Sequence, residues 1–161
     1  MNKTSKKQGS GLMEIVVGVS IISLTLFGIM TVVITAFNLM GYSTMNVQAS
    51  YLLEEGIEVM RIFRDAGWNS YINSLTIDTP YYLVFENNNW LATTTAINID
   101  GKFNRTFVLQ NVNRNVSDDI VESGGVIDVG TKKIIMSVEW QSKKGTSTKE
   151  IVSYLSDIFN N

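Results

Sequence analysis

The stretch KKQGSGLMEIVVGVSIISLTLFGIMTVVITAFNLMG, residues 6–41, decides the architecture. Two lysines and a few small or polar residues lead into an apolar segment that opens with one acid, Glu14. From Ile15 to Gly41 there are 27 residues and no charge. As a helix this segment is about 40 Å long, against ~30 Å of bilayer hydrocarbon, so it spans with tilt to spare. The apolar region of a secretory leader is only ~7–15 residues, so this segment is too long to be one. Lys3, Lys6 and Lys7 precede it, and the next basic residue is Arg61. The positive-inside rule then keeps the N-terminus in the cytoplasm and sends the remainder outside.

Glu14 admits two readings. In one it is an acid at a helix N-terminus, where the helix dipole favours negative charge by ~0.3–1 kcal/mol. The other rests on order and spacing. Basic residues come first, then Gly9, then Ser10, and Glu14 is the fifth residue counted from Ser10 at the mouth of the apolar helix. That order resembles the class III signal peptide of type IV prepilins. The resemblance implies that a membrane aspartic protease cuts between Gly9 and Ser10 on the cytoplasmic side, with Lys6 and Lys7 as the leader's positive charges. It implies N-methylation of Ser10, and a role for Glu14 in filament assembly by pairing with a neighbour's terminal amine. A lone carboxylate in an apolar setting is costly, and an opposite charge relieves that cost and sets the register between packed helices.

Two positions depart from the family's commonest pattern. Ser10 stands where an aromatic residue or methionine is usual, and Thr31 stands where many type IV pilins carry a helix-kinking proline, so no kink is expected from it. Gly18 and Gly28 either weaken the helix, at ~1 kcal/mol each, or let neighbouring helices pack closely, and packing is the preferred reading.

Beyond Gly41, YSTMNVQASYLLEEGIEVMRIFRDAGWNSY carries no proline. Leu53, Ile57, Met60 and Arg64 form one stripe, widened by Leu52, Val59, Ile62, Phe63 and Ala66, at the spacing of an amphipathic helix. Glu54, Glu55 and Glu58 fall on the polar side as a solvated face, not a metal or catalytic site. Glu58–Arg61 and Arg61–Asp65 have pairing distance along a helix. Gly67 is the expected stop. The join from Asn38 to Ser50 is polar and is read as a point of flexure.

After Trp68 the pattern turns to strands. PYYLVFENNNWLATTT reads as a hairpin across the asparagines, and INIDGKFNRTFVLQNV as a second one at Asp-Gly. Phe103, Phe107 and Leu109 alternate, as do Ile134, Met136, Val138 and Trp140. Lys143–Thr146 makes a turn into a last strand over Glu150–Leu155. An antiparallel sheet with one apolar face needs a cover, which the amphipathic helix supplies. The fold is therefore expected to be α+β and pilin-like: a long N-terminal helix packed on a C-terminal antiparallel sheet. Its parts are a leader (1–9), a hydrophobic helix (10–41), an amphipathic helix (42–67) and a β-rich head (68–161). The strand order, with Arg-Thr in FNRTFVLQNVNR and then KKIIMSVEWQ and EIVSYLSD, resembles minor pilins and the I and V kinds of pseudopilin.

The loop from Ser117 to Gly130 is rich in acids and glycine; its density of oxygen ligands permits calcium, but the spacing matches no EF-hand and a solvated loop is preferred. Asn104-Arg-Thr and Asn115-Val-Ser fit the glycosylation acceptor pattern, a triplet that also arises by chance.

The chain has no cysteine and no histidine, which removes the usual thiol, general base and zinc ligand. Net charge is −2 and pI about 5.1, which argues against nucleic-acid binding by bulk charge. No cofactor, metal or enzymatic activity is expected. Loss of residues 1–9 removes three of the 13 bases, leaving ten against 15 acids, a side-chain charge of −5. The expected function is that of a prepilin-type subunit, minor pilin or type II secretion pseudopilin, held in the inner membrane and then built into a filament. Its expected partners are other pilin subunits, the prepilin peptidase, the inner-membrane assembly platform and, before assembly, lipid. The competing class is a signal-anchored membrane protein with an extracytoplasmic binding domain, which requires Gly9, Ser10 and Glu14 to match by accident.

Overall fold

A computed structural model describes residues 8–142 and 145–159, with residues 8–10 described by backbone alone. Helix α1 runs Gln8–Ala66. No proline interrupts it, since the chain's single proline is Pro80. It ends at Gly67, whose φ of +154° suits a residue without a Cβ and whose amide donates to the Phe63 carbonyl at 3.1 Å. One π-helical turn, Trp68–Ile72, follows and buries both of its terminal side chains. The chain forms two compact units, one ending at Thr44 and one beginning at Met45.

The second unit holds the core. Its strands are β1 (Tyr81–Glu86), β2 (Asn89–Thr93), β3 (Asn98–Ile99), β4 (Phe103–Arg114), β5 (Ile120–Val121), β6 (Val126–Ser142) and β7 (Gly145–Ser156). Every pairing is antiparallel and the order is β2-β1-β4-β6-β7, with β3 and β5 pairing β4. The β1–β2 hairpin closes through Asn87 and Asn88 at φ 50° and 63°. This is the left-handed pair that a two-residue hairpin requires and that asparagine tolerates. Asp100 and Gly101, at φ 52° and 64°, turn β3 toward β4, but with Lys102 they make a three-residue connection, because Ile99 pairs with Phe103.

One face of the sheet is apolar by alternation. Phe103, Phe107 and Leu109 of β4 lie beside Ile134, Met136, Val138 and Trp140 of β6, all buried. They share one cluster with Ala49, Leu53, Ile57, Val59, Met60 and Phe63 of α1. Burying each large side chain is worth about 1.5–3 kcal/mol, so this interface dominates the head's stability. Gly56 lies in its middle; a Cβ there would be 2.8 Å from Met136 Sδ. The helix backbone therefore lies directly on the sheet at that turn.

Several expectations are corrected. Ile62 is 52% exposed and Ala66 is also exposed, so the apolar face of the helix is narrower than its composition suggests. Arg61 pairs with Glu58 at 2.5 Å but not with Asp65, which Arg64 takes at 2.7 Å. The acid-rich stretch is not all loop, because β5 crosses it at Ile120–Val121 and β6 begins at Val126. The last strand begins at Gly145, earlier than Glu150. Lys143 and Lys144 of the expected turn lie outside the described residues.

Two polar ties cross the helix–sheet interface. Lys149 Nζ donates to Asn46 Oδ1 at 3.1 Å and to Ser50 Oγ at 2.6 Å. The C-terminal part of the join read as flexible is thus anchored, and Ala49 between those residues is fully buried. Arg105 occupies the inward register of β4. Its guanidinium donates to the Leu52 carbonyl at 3.0 Å and to Glu55 Oε2 at 3.1 Å, and sits 5.6 Å from the centroid of the Trp90 ring. Burial pulls the Arg105 guanidinium below its ordinary value, and the charge and hydrogen bond of Glu55 pull it back. Its Nε is buried with no acceptor.

Glu55 is half exposed and returns to water easily when its partner goes. The stem of Arg105 is therefore expected to matter more than its charge. Arg105→Met should leave stability within about 1 kcal/mol of wild type, and Arg105→Ala should lose about 1–3 kcal/mol through the cavity it opens. Urea unfolding in detergent, followed by tryptophan fluorescence, separates the two. Equal losses in both variants would assign the stability to the ion pair instead.

Candidate functional site: the bare half of the helix

In the first unit no residue from Gly11 to Thr44 is buried. The large apolar side chains from Leu12 to Tyr42 stand 40–76% exposed. A patch of this size is far beyond the few hundred Å² that soluble monomers expose. Mean hydropathy reaches 2.4 over an 18-residue window, so the segment is long and apolar enough to cross a membrane. Several of its hydroxyl groups are satisfied within the helix. Ser20 donates to the Val16 carbonyl at 2.7 Å, Thr31 to Phe27 at 3.0 Å, Thr35 to Thr31 at 2.8 Å and Thr44 to Met40 at 2.9 Å. Such back-bonding lets hydroxyl side chains sit in apolar surroundings at small cost.

Gly11, Gly18, Thr25, Gly28 and Thr35 follow spacings of three and seven, which put them on one side of α1, while Ser20, Ser23 and Gly41 fall on other sides. Glu14 falls on that same side, is exposed, and is the one charged residue between Gly11 and Leu53. No atom lies within 4 Å of a Cβ built at Gly11, Gly18 or Gly28. A second helix can approach closely along this side, with the carboxylate at its N-terminal end. Gly9 and Ser10 fall in the first turn of α1, where the backbone alone is described, and Lys6 and Lys7 lie outside the described residues.

The acid-rich segment of the head is organised by Arg114. Its Nε meets Asp128 Oδ2 at 2.7 Å and Asp118 Oδ1 at 3.6 Å, and an Arg114 guanidinium nitrogen donates to the Asp118 carbonyl at 2.7 Å. The hydrogen bond from Arg114 is the main cause holding the Asp128 carboxyl below its ordinary value of 3.8, helped by Thr131 and the Gly130 amide. The Arg114 guanidinium is in turn raised, mainly by the Asp128 hydrogen bond. Among the described residues no group of three or more acidic side chains converges on a position for a metal.

A carboxyl depressed in the folded state stabilises above its unfolded value and loses that contribution as pH falls through the folded value. The gap between wild type and Asp128→Asn should therefore be constant above about pH 5 and close progressively below 3.8. Urea midpoints measured across that range test this, and a gap that persists to the lowest pH would exclude Asp128 as the group responsible.

Sequence reasoning assigned no role to Arg105 or Lys149. The signal lay in strand parity: both alternate with outward positions and share the inward register of apolar neighbours. Comparison with family models, curated proteins and solved structures finds no match to this chain.

Proposed function

We propose that this chain is a prepilin-type subunit, cut between Gly9 and Ser10 and assembled through the bare half of α1 into a type IV pilus or pseudopilus, as a minor subunit. The observation that carries the reading is a single helix with opposite surroundings along its length. Its head half is packed against a sheet, and its first half is apolar, unpartnered and lined on one side by small residues and Glu14. Before assembly the apolar half sits in the cytoplasmic membrane with the N-terminus inside and the head outside. In the filament, the apolar halves bundle and the heads face water. Hydrophobic burial holds the bundle, and the Glu14 carboxylate, paired with a neighbour's Ser10 amine, sets the stagger. The role is structural, not catalytic, and the partners are other pilin subunits, the peptidase and the assembly platform.

The test is intact-mass and N-terminal analysis after coexpression with an active prepilin peptidase. The expected product begins at Ser10, with or without one methyl group. A chain that keeps Lys6 and Lys7 beside an active peptidase would instead be a signal-anchored binding module.

A further inference from the structure

We infer that Asn115 is an acceptor for an N-linked glycan, and that the sugar covers the apolar end of the β4–β6 arm. The inference rests on the extracytoplasmic head proposed above. Three acceptor triplets are present in the sequence, at Asn2, Asn104 and Asn115; the first falls in the proposed leader and outside the described residues, and the structure separates the other two. Asn104 lies inside β4, paired with Asn98 of β3 on one side and Glu139 of β6 on the other, and its Oδ1 is buried. A transferase reaches it only by breaking both pairings. Asn115 follows the last residue of β4. Asn115 is itself half-buried, while Val116 is fully exposed and Ser117 is exposed, so the acceptor triplet lies at the surface. Asn115 Oδ1 accepts from the Ser117 amide at 2.8 Å and the Asp119 amide at 3.0 Å, which folds the triplet into an Asx turn. Its Nδ2 is held only by a 3.3 Å contact to Asp119 Oδ2.

A second observation concerns the surroundings. Val116, Ile120, Val126, Ile127 and Val129 are 42–107% exposed. Asn115, Val116, Val126 and Ile127 line one open hollow of about 320 Å³. Branched aliphatics gathered at a water-facing end need a cover, and a glycan is a bulky, solubilising one placed at their centre. In the transfer, Asn115 Nδ2 attacks the anomeric carbon of a polyprenyl-pyrophosphate oligosaccharide. The new C–N bond forms as the C–O bond to pyrophosphate breaks, the pyrophosphate leaves with the electron pair, and the amide proton passes to a base of the transferase.

The test offers the full chain carrying Asn2→Gln, which removes the leader's triplet, folded in detergent, to an oligosaccharyltransferase with a polyprenyl-pyrophosphate oligosaccharide, read by intact mass and peptide mapping. The expected result is one glycan on the peptide containing Asn115, none on Asn115→Gln and an unchanged yield on Asn104→Gln. The glycosylated chain should also bind less of a hydrophobic dye. Transfer to Asn104, or no transfer to the folded chain under conditions that modify a control acceptor, overturns the inference. Chain isolated from the cells that encode it should carry the same modification, and an unmodified head there overturns the inference if external protease cuts it. A head shielded from protease added to spheroplasts would instead sink the proposed topology, while the detergent assay still decides the acceptor.

Discussion

Phe107→Ala should lower the stability of the head by about 3–5 kcal/mol, the largest loss expected from a single core truncation here. Phe107 is fully buried on β4, the strand that pairs with both β1 and β6. Its direct cross-strand neighbours are Tyr81 on one side and Met136 on the other, and its ring stacks on Tyr81 with centroids 5.7 Å apart. Removing the ring leaves neighbours on two strands and the helix without a partner, and a central strand has little freedom to collapse into the gap. Domains of ordinary size are stable by only ~5–15 kcal/mol, so the variant would sit near its unfolding threshold at ambient temperature. Phe85 supplies the contrast. It also meets an aromatic neighbour, Trp90, in a tilted pair with centroids 5.2 Å apart, but it is 55% exposed, and Phe85→Ala should cost no more than about 1 kcal/mol. Chemical denaturation of both variants gives the comparison. Similar losses at the two positions would mean that the sheet's buried face is not the principal source of stability.

The core explains why one helix serves two surroundings. The head needs an amphipathic cover for its apolar sheet face, and α1 supplies it from Ala49 to Phe63. From Gly11 to Thr44 the same helix is dominated by apolar side chains, and none of its residues is buried. Such a helix is stable where backbone groups are satisfied internally and side chains meet lipid or other apolar helices.

Much of this was legible in residue order because the governing patterns are local. The long charge-free run, the alternation of Phe103, Phe107 and Leu109, and the turn chemistry of Asn87-Asn88 and Asp100-Gly101 depend on few neighbours. The misreadings arose where a partner distant in sequence decides the outcome. Asp65 goes to the adjacent Arg64, and Glu55, which looked like part of a solvated face, meets Arg105 fifty residues away. The polarity of Asn46 and Ser50 suggested a free joint, but those side chains are acceptors for Lys149 on the last strand. In the acid-rich segment, the signal that turned a loop into strand was Arg114. Its pairing with Asp128 holds the first residues of β6 against the end of β4, beyond a register shift at Asn111/Val112. Gly18 and Gly28 were legible as close-packing positions, but their alignment with Gly11 and Glu14 on one side of α1 was not read from the sequence.

Glu14→Gln, in a chain still cut after Gly9, is expected to abolish entry into the filament while leaving export and processing intact. The substitution keeps the size of the side chain and removes its charge. Under the proposed assembly, the apolar halves provide burial but no unique stagger, since aliphatic surfaces pack almost equally well after a shift of one turn. The carboxylate–amine pair selects one register. A neighbour's terminal amine left unpaired in an apolar bundle costs about 3–5 kcal/mol, equivalent to roughly a hundredfold or greater loss in subunit affinity. Glu14→Asp retains the charge on a shorter arm and should recover part of the incorporation, which a role confined to packing would not produce. The measurement is the ratio of epitope-tagged variant to wild-type subunit in sheared or purified filaments, with the cleaved membrane pool as reference. Wild-type incorporation of Glu14→Gln would end the pairing account and return Glu14 to an acid placed at a helix end. Failure of cleavage would instead place Glu14 in recognition by the peptidase, and the membrane pool, read by mass, distinguishes those two outcomes in the same preparation.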